Sequence, residues 1–190
     1  MYLSTTAVLA IAASMVAANP IDVRAANVVD NVSGLYDQIR GHTAVINSTV
    51  AGINSKSTSS QKATAKALIS TQTNNIIAAI EAAKSGAAGG QGLQLSAGNQ
   101  QQIINDMSQI VFELQGAYGG INKQFGDSYG NGLLLNVFGP LNGLLQDLGG
   151  IVVGLVSIVG GVVAGVFGAV GGVLGLLLQI LFGFSTPFGH

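Results

Sequence analysis

Apolar residues in the first half of the chain recur at alternating steps of four and three positions. Between residues 21 and 53 the series is Val28, Val32, Leu35, Ile39, His42, Ile46, Thr49 and Ile53. Such steps place side chains on one face of an α-helix, because the helix repeats every ~3.6 residues. The pattern therefore predicts a long amphipathic helix with one face turned towards a core.

Two more helices are predicted further along. Thr58 and Gln61 have the spacing of a capping box, and the helix they begin is predicted to reach about Lys84. Its apolar face is rich in alanine: Ala65, Leu68, Ile69, Ile76, Ala79, Ile80 and Ala83. Residues 85–92, SGAAGGQG, predict a loop.

The third helix has the clearest amphipathic pattern, and Ser96 is its predicted N-cap. Its apolar face consists of Ile103, Met107, Ile110, Leu114, Ala117, Ile121 and Phe125. Residues 127–132, DSYGNG, predict a turn after it. The leucine-rich sequence that follows contains Pro140, which predicts a kink or a helix start.

The stretch from Ile151 to Phe184 carries no charged residue, and Ser157 and Gln179 are its only polar side chains. Its glycines are regularly spaced, and a helix would align them as one stripe. The stripe consists of Gly154, Gly161, Gly165, Gly168, Gly172 and Gly175, and the apolar residues beside it include Val166, Phe167, Leu176, Leu177 and Phe182. A stripe without side chains allows another backbone to approach closely.

These patterns predict an all-α fold: an antiparallel helical bundle with a Gly-rich, fully apolar C-terminal helical segment. Three regions are expected along the chain. Residues 1–18 are a signal peptide, 19–132 an amphipathic helical domain, and 133–190 a Leu/Gly/Val-rich hydrophobic C-terminal region. The signal peptide is inferred from the apolar run at 7–17 and from Val16-Ala17-Ala18 as its cleavage site, with an uncleaved anchor as the alternative.

The partner of the apolar stretch stays open at the level of sequence. It could adsorb to an external hydrophobic surface, insert into a lipid membrane, associate with a second copy, or form a buried hairpin of the bundle. As one straight helix it would be about 50 Å long, against about 30 Å of bilayer hydrocarbon. No Lys or Arg flanks it to orient a membrane span. Cleavage as a lipid-anchor signal is disfavoured, because the chain continues beyond the apolar run to His190.

Composition removes several functional classes. The net charge of −1 argues against nucleic-acid binding, which requires a basic surface. The chain has no cysteine, so neither a disulfide framework nor a thiolate metal site is expected. His42 lies in an apolar face and is expected to be a core or half-buried histidine with a local partner. Because no nucleophile elbow or phosphate loop is present, we expect no enzyme, no catalytic or metal-binding residue and no cofactor.

Two sequons, Asn31-Val32-Ser33 and Asn47-Ser48-Thr49, mark possible N-glycosylation at Asn31 and Asn47.

Two segments resemble the fungal hydrophobic surface binding protein A family, which includes cell wall galactomannoproteins. They are VVDNVSGLYDQIRGHTAVINST and LSAGNQQQIINDMSQIVFELQGAYGGINKQF, within residues 27–125, with Lys123 and Phe125 at the end of the family's Ile/Leu-rich helix. After about Gly139 the neutral C-terminal region departs from the family, which ends in amphipathic helices.

The resemblance implies a secreted, helical, non-enzymatic protein that coats hydrophobic surfaces or resides in the cell wall. The apolar C-terminal region suits the same function, because removing apolar area from water requires no directional site. We therefore expect an extracellular or cell-wall protein that adsorbs to hydrophobic material. Insertion into a membrane is the alternative.

Overall fold

The structure, a computed structural model, describes the chain from residue 20 to residue 168, with side chains from 24 to 165. This part contains five α-helices: α1 (Pro20–Ala51), α2 (Ser59–Ala88), α3 (Ala97–Phe125), α4 (Asp127–Gly149) and α5 (Leu155–Gly168). The prediction of an all-α antiparallel bundle is confirmed for these residues. The predicted signal peptide lies outside them, as do Gly172, Gly175, Leu176, Leu177 and Phe182. Val166 and Phe167 belong to α5, but their side chains are likewise outside the description.

Helices that follow one another run antiparallel, and α2 and α3 lie diagonally across the bundle. Helix α1 packs against α2 and α3, whereas α4 packs against α2 and α3 from the opposite corner. Hydrogen bonds between Ser33 and Asp106 and between Thr43 and Glu113 show that α1 and α3 run side by side in the same direction. Helix α5 packs against α3 and α4.

The apolar faces of α1 and α3 form the core largely as predicted. Five of the predicted α1 residues are buried: Val28, Val32, Leu35, Ile39 and Ile46. His42, Thr49 and Ile53 are half-buried, and Thr43 is the buried polar residue of this helix. In α3 every predicted residue is fully buried except Phe125, which is half-buried.

Helix α2 differs from its prediction at two places. Leu68 is 40% exposed, whereas Thr73 is buried because its hydroxyl accepts a hydrogen bond from Tyr118. The predicted loop at 85–92 is also partly wrong, since α2 continues to Ala88. The extra turn buries Ala87 in the core, and Gly90 then packs so closely on Val28 and Ile151 that a side chain there would meet both.

The turn predicted at residues 127–132 is wrong, because α4 begins at Asp127. Gly126 alone separates the two helices, with a φ of 90° that strains any residue with a side chain. Pro140 lies inside α4, so it marks neither end of that helix.

The predicted caps are confirmed. At Thr58 the capping box is complete: the backbone N–H of Thr58 donates to Gln61 Oε1 at 2.8 Å, and that of Gln61 donates to Thr58 Oγ1 at 3.2 Å. Ser96 Oγ accepts from the backbone N–H of Asn99 at 3.2 Å. Side-chain acceptors thus satisfy N–H groups that the first turns of α2 and α3 leave without intrahelical partners.

Candidate functional site: the outer face of helix α5

A tight turn connects α4 to α5 and decides which face of α5 meets the bundle. The carbonyl of Leu148 accepts from the N–H groups of Ile151 and Val152, at 2.9 and 2.8 Å. Gly154 has a φ of 79°, a conformation that side chains disfavour. Gly154 therefore belongs to the turn and not to the helical stripe predicted from its spacing.

The inner face of α5 is part of the hydrophobic core. Ile151, Val152, Leu155, Val159 and Val163 are all buried, and α5 packs against α3 and α4. Leu155, Val159 and Val163 are spaced by four residues, as on one inward face of a helix, whereas Ile151 and Val152 belong to the turn before α5. Within residues 151–163, then, the inward side of the apolar stretch has its partner within the chain.

The opposite side of this segment is exposed. Val153 is 85% and Ile158 is 49% exposed, although both are large aliphatic residues. Gly161, Ala164 and Gly165 are exposed beside them, and a β-carbon at either glycine would have no described atom within 4 Å apart from its chain neighbours and the backbone of its own helix. We call these five residues, of which Val153 belongs to the turn before the helix, the outer face of α5. Gly161 and Gly165 of the predicted stripe thus lie on the solvent side, where no described backbone approaches them.

Other exposed apolar residues are dispersed over different helices. Val45 lies on α1, Leu68 on α2 and Phe112, 46% exposed, on α3. Single exposed apolar side chains are normal on soluble proteins, whereas a contiguous apolar surface marks an interaction site. The outer face of α5 is the more informative feature because its residues lie close together in sequence, with the exposed Ser157 as the one polar side chain among them, and because it contains no charged residue.

A cavity of about 200 Å³ lies between α3 and α4. Gly116, Gly119 and Asn122 line it on α3, and Asn131 and Leu134 line it on α4. Asn122 Nδ2 donates to Asn131 Oδ1 at 2.9 Å, but the buried Asn122 Oδ1 accepts no hydrogen bond within the described part of the chain. Sequence patterns did not reveal this cavity, because it arises from the pairing of two helices.

Three titratable side chains of the described bundle, those of His42, Asp106 and Glu113, contact a neighbouring helix. His42 is half-buried, with Nδ1 at 2.7 Å from Gln72 Oε1 of α2, so it has the partner expected of a structural histidine. Asp106 accepts from Ser33 at 2.7 Å, and Glu113 accepts from the buried Thr43 at 3.1 Å. Within residues 24–165 no three or more His, Asp or Glu side chains are grouped as metal ligands would be.

Both sequon asparagines are exposed on α1, but their surroundings differ. The Asn31 amide packs against Gly86 of α2, where a side chain would overlap its Nδ2. At the other sequon, the hydroxyls of Ser48 and Thr49 donate to the carbonyl of Val45. Glycosylation of Asn31 would require its side chain to leave the contact with Gly86. Asn47 makes no contact with Gly86.

Among the helices of residues 20–168, none is long and apolar enough to cross a membrane. Comparisons with protein-family profiles, with curated proteins and with solved structures each find no match for this chain. The resemblance to the hydrophobic surface binding protein A family therefore stays an expectation based on the sequence.

Proposed function

We propose that this is a secreted, non-enzymatic protein that adsorbs to hydrophobic surfaces or cell-wall material through the outer face of α5 and the apolar sequence that follows it. The observation that carries the proposal is the exposure of Val153 and Ile158 on a segment whose other side is fully docked. Docking fixes the orientation of α5, so these side chains are presented outward without first unfolding the bundle.

The mechanism is removal of apolar area from water. Fully burying one large aliphatic side chain contributes ~1.5–3 kcal/mol, and Val153 and Ile158 are only partly buried in the free protein. Gly161 and Gly165 add backbone that a flat surface can approach closely, since neither has a side chain. Such contacts select for hydrophobicity and do not require a particular chemical group.

Two further expectations belong to this proposal. We infer an extracellular or cell-wall location from the predicted signal peptide and from the family resemblance. N-linked glycans at Asn47, and at Asn31 if its side chain leaves Gly86, would lie on α1. Because α5 packs against α3 and α4 and not against α1, a sugar there is compatible with a free outer face.

The test is adsorption of the purified protein to octyl-coated beads after a single charge is placed on the outer face. Ile158→Glu and Val153→Glu should each reduce the bound fraction by about tenfold or more, since burying an unpaired carboxylate is costly. Leu68→Glu is the matched control, because Leu68 is 40% exposed on α2 and lies outside the outer face. Equal binding by all three variants would contradict the proposal.

Membrane insertion can be distinguished from adsorption by mixing the same protein with neutral lipid vesicles and extracting the pelleted vesicles. Adsorbed protein should be released from a membrane pellet by alkaline carbonate, because carbonate opens vesicles without extracting inserted segments. Retention in the pellet, with weak bead binding, would replace adsorption by insertion.

A further inference from the structure

The cavity between α3 and α4 has uncharged walls. The described residues that line it are three with side-chain amides, two glycines, a tyrosine and a leucine: Gln115, Asn122, Asn131, Gly116, Gly119, Tyr118 and Leu134. Burying an ion without a counter-charge is strongly unfavourable. The cavity therefore suits a neutral ligand and disfavours phosphate, carboxylate and ammonium groups.

Two amide groups at this cavity have unused hydrogen-bonding capacity. Asn122 Nδ2 donates to Asn131 Oδ1 at 2.9 Å, whereas the buried Asn122 Oδ1 accepts nothing from the described residues. Asn131 Nδ2 in turn donates to no acceptor in the described part of the chain. A hydroxyl both donates and accepts, so neighbouring hydroxyls of one ligand can pair with both groups. The last torsion of an Asn side chain is broad, which allows either amide to turn towards a ligand.

The size of the cavity limits the ligand to a single ring. Its volume is about 200 Å³. A protein cavity of about 150 Å³ accepts benzene, whereas drug-sized ligands occupy pockets of about 300–1,000 Å³. Gly116 and Gly119 are exposed, and a β-carbon at either would meet only its own neighbouring backbone within 4 Å, so a ring can approach α3 from this side. The buried Leu134 supplies an apolar surface on α4.

We propose that the α3–α4 cavity binds one neutral pyranose ring, the end sugar of a glycan or a free monosaccharide. A pyranose matches both kinds of wall, because its hydroxyls can pair with the amides of Asn122 and Asn131 while its C–H face packs on Leu134. This site goes beyond the proposed adsorption, since it lies on α3 and α4 and uses no residue of the outer face of α5.

The test is titration of the full chain with the methyl α-pyranosides of glucose, mannose and galactose, followed by saturation-transfer NMR. A methyl glycoside represents the end sugar of a chain, and the free sugars are titrated beside it. We expect at least one pyranose to bind with a Kd on the order of 1 mM, the affinity that an ordinary ligand efficiency gives for a molecule of this size. Cyclohexanol, a six-membered ring with one hydroxyl, should bind at least about tenfold more weakly, because one hydroxyl cannot satisfy both amides.

Two variants assign the binding to the cavity. Gly119→Leu fills it from an exposed position with open space and should weaken pyranose binding at least about tenfold, whereas Gly41→Leu, at an exposed α1 position with equally open space, should not. Asn131→Leu keeps the size of the side chain but removes its amide, and should weaken the pyranose more than cyclohexanol. Urea midpoints of all variants verify that they are folded.

Three results would overturn the proposal: no pyranose binding below about 50 mM, which would leave a cavity for water only; cyclohexanol binding as tightly as the pyranose; or unchanged pyranose binding by Gly119→Leu. Adsorption is tested separately, because Gly119→Leu should still bind octyl-coated beads and Ile158→Glu should still bind the pyranose. Failure of the sugar site and failure of adsorption are thereby distinguishable.

Discussion

The hydroxyl of Tyr118 on α3 donates a hydrogen bond to Thr73 Oγ1 on α2, at 3.1 Å, across the diagonal of the bundle. Both residues are buried, and their helices lie diagonally opposite. The pair thus fixes the separation of two helices that do not pack side by side. Because an unpaired hydroxyl in an apolar core is unfavourable, each residue depends on the other for its place there.

Each single substitution should therefore lower stability by more than half of what the double substitution costs, because each leaves one hydroxyl unpaired in the core. Tyr118→Phe leaves the Thr73 hydroxyl without this donor, and Thr73→Val leaves the Tyr118 hydroxyl without its acceptor; each should lower the free energy of unfolding by ~1–3 kcal/mol. The double variant should be more stable than the sum of the two single effects predicts, as measured by urea denaturation of all four proteins. Strict additivity would show that the hydrogen bond contributes nothing.

The same tyrosine predicts a loss of stability at alkaline pH. Burial raises the pKa of Tyr118 to about 12, an effect only partly offset by its hydrogen bond to Thr73. An unfolded tyrosine has a pKa of about 10, so the stability due to the protonated group is fully present below pH ~10. Above that pH the unfolded chain releases the proton first, and stability falls as the pH rises towards the folded pKa, by ~2–3 kcal/mol in total.

Urea midpoints at pH 9, 10 and 11 check this expectation, with Tyr118→Phe as the reference. The variant starts less stable but should lose less stability over this range, since only Tyr118 differs between the two proteins. Parallel pH profiles would contradict the assigned pKa.

Sequence periodicity predicted the bundle because each helix repeats its apolar residues over many turns. The seven predicted positions of α3 form a continuous series, and the core accepts them with only Phe125 half-buried. What periodicity missed are buried polar residues whose partners lie far along the chain. Thr73 lies in the core and accepts a hydrogen bond from Tyr118, and the buried Thr43 pairs with Glu113 on α3.

Turns and helix ends predicted from glycine-containing segments were also ambiguous, because tertiary packing decides which glycine forms the turn. A single residue with positive φ, Gly126, is enough to end α3, so the DSYGNG sequence was free to form the first turns of α4. Gly154 has the seven-residue spacing of the stripe but serves the turn before α5. For the candidate site, the sequence indicated an apolar segment with a glycine side. Which side faces solvent depended on the packing of α5 on α3 and α4.

Two glycines on α4 should respond to alanine in opposite directions. A β-carbon at Gly130 would overlap Asn122 Oδ1 and lie 3.2 Å from the backbone nitrogen of Asn122. Gly130→Ala should therefore destabilise the protein by ~1–3 kcal/mol, because α3 and α4 would have to separate. Gly132→Ala, on the same helix with open space around it, should stabilise it by up to ~1 kcal/mol through helix propensity. Thermal unfolding of both variants measures the difference, and a neutral Gly130→Ala would contradict the close approach of the helices.

Adsorption through the outer face of α5 should be insensitive to sodium chloride. After Asp147 the chain contains no Lys, Arg, Asp or Glu, so the proposed contact has no ion pairs for salt to screen. The fraction bound to octyl-coated beads should change less than about twofold between ~0.05 and ~1 M sodium chloride, although the Debye length falls severalfold over that range. Ammonium sulfate should increase binding, since it strengthens the burial of apolar surface. Release of the protein by sodium chloride would instead place the contact on charged side chains of α1–α4, because those helices carry the charges that the described part of α5 lacks.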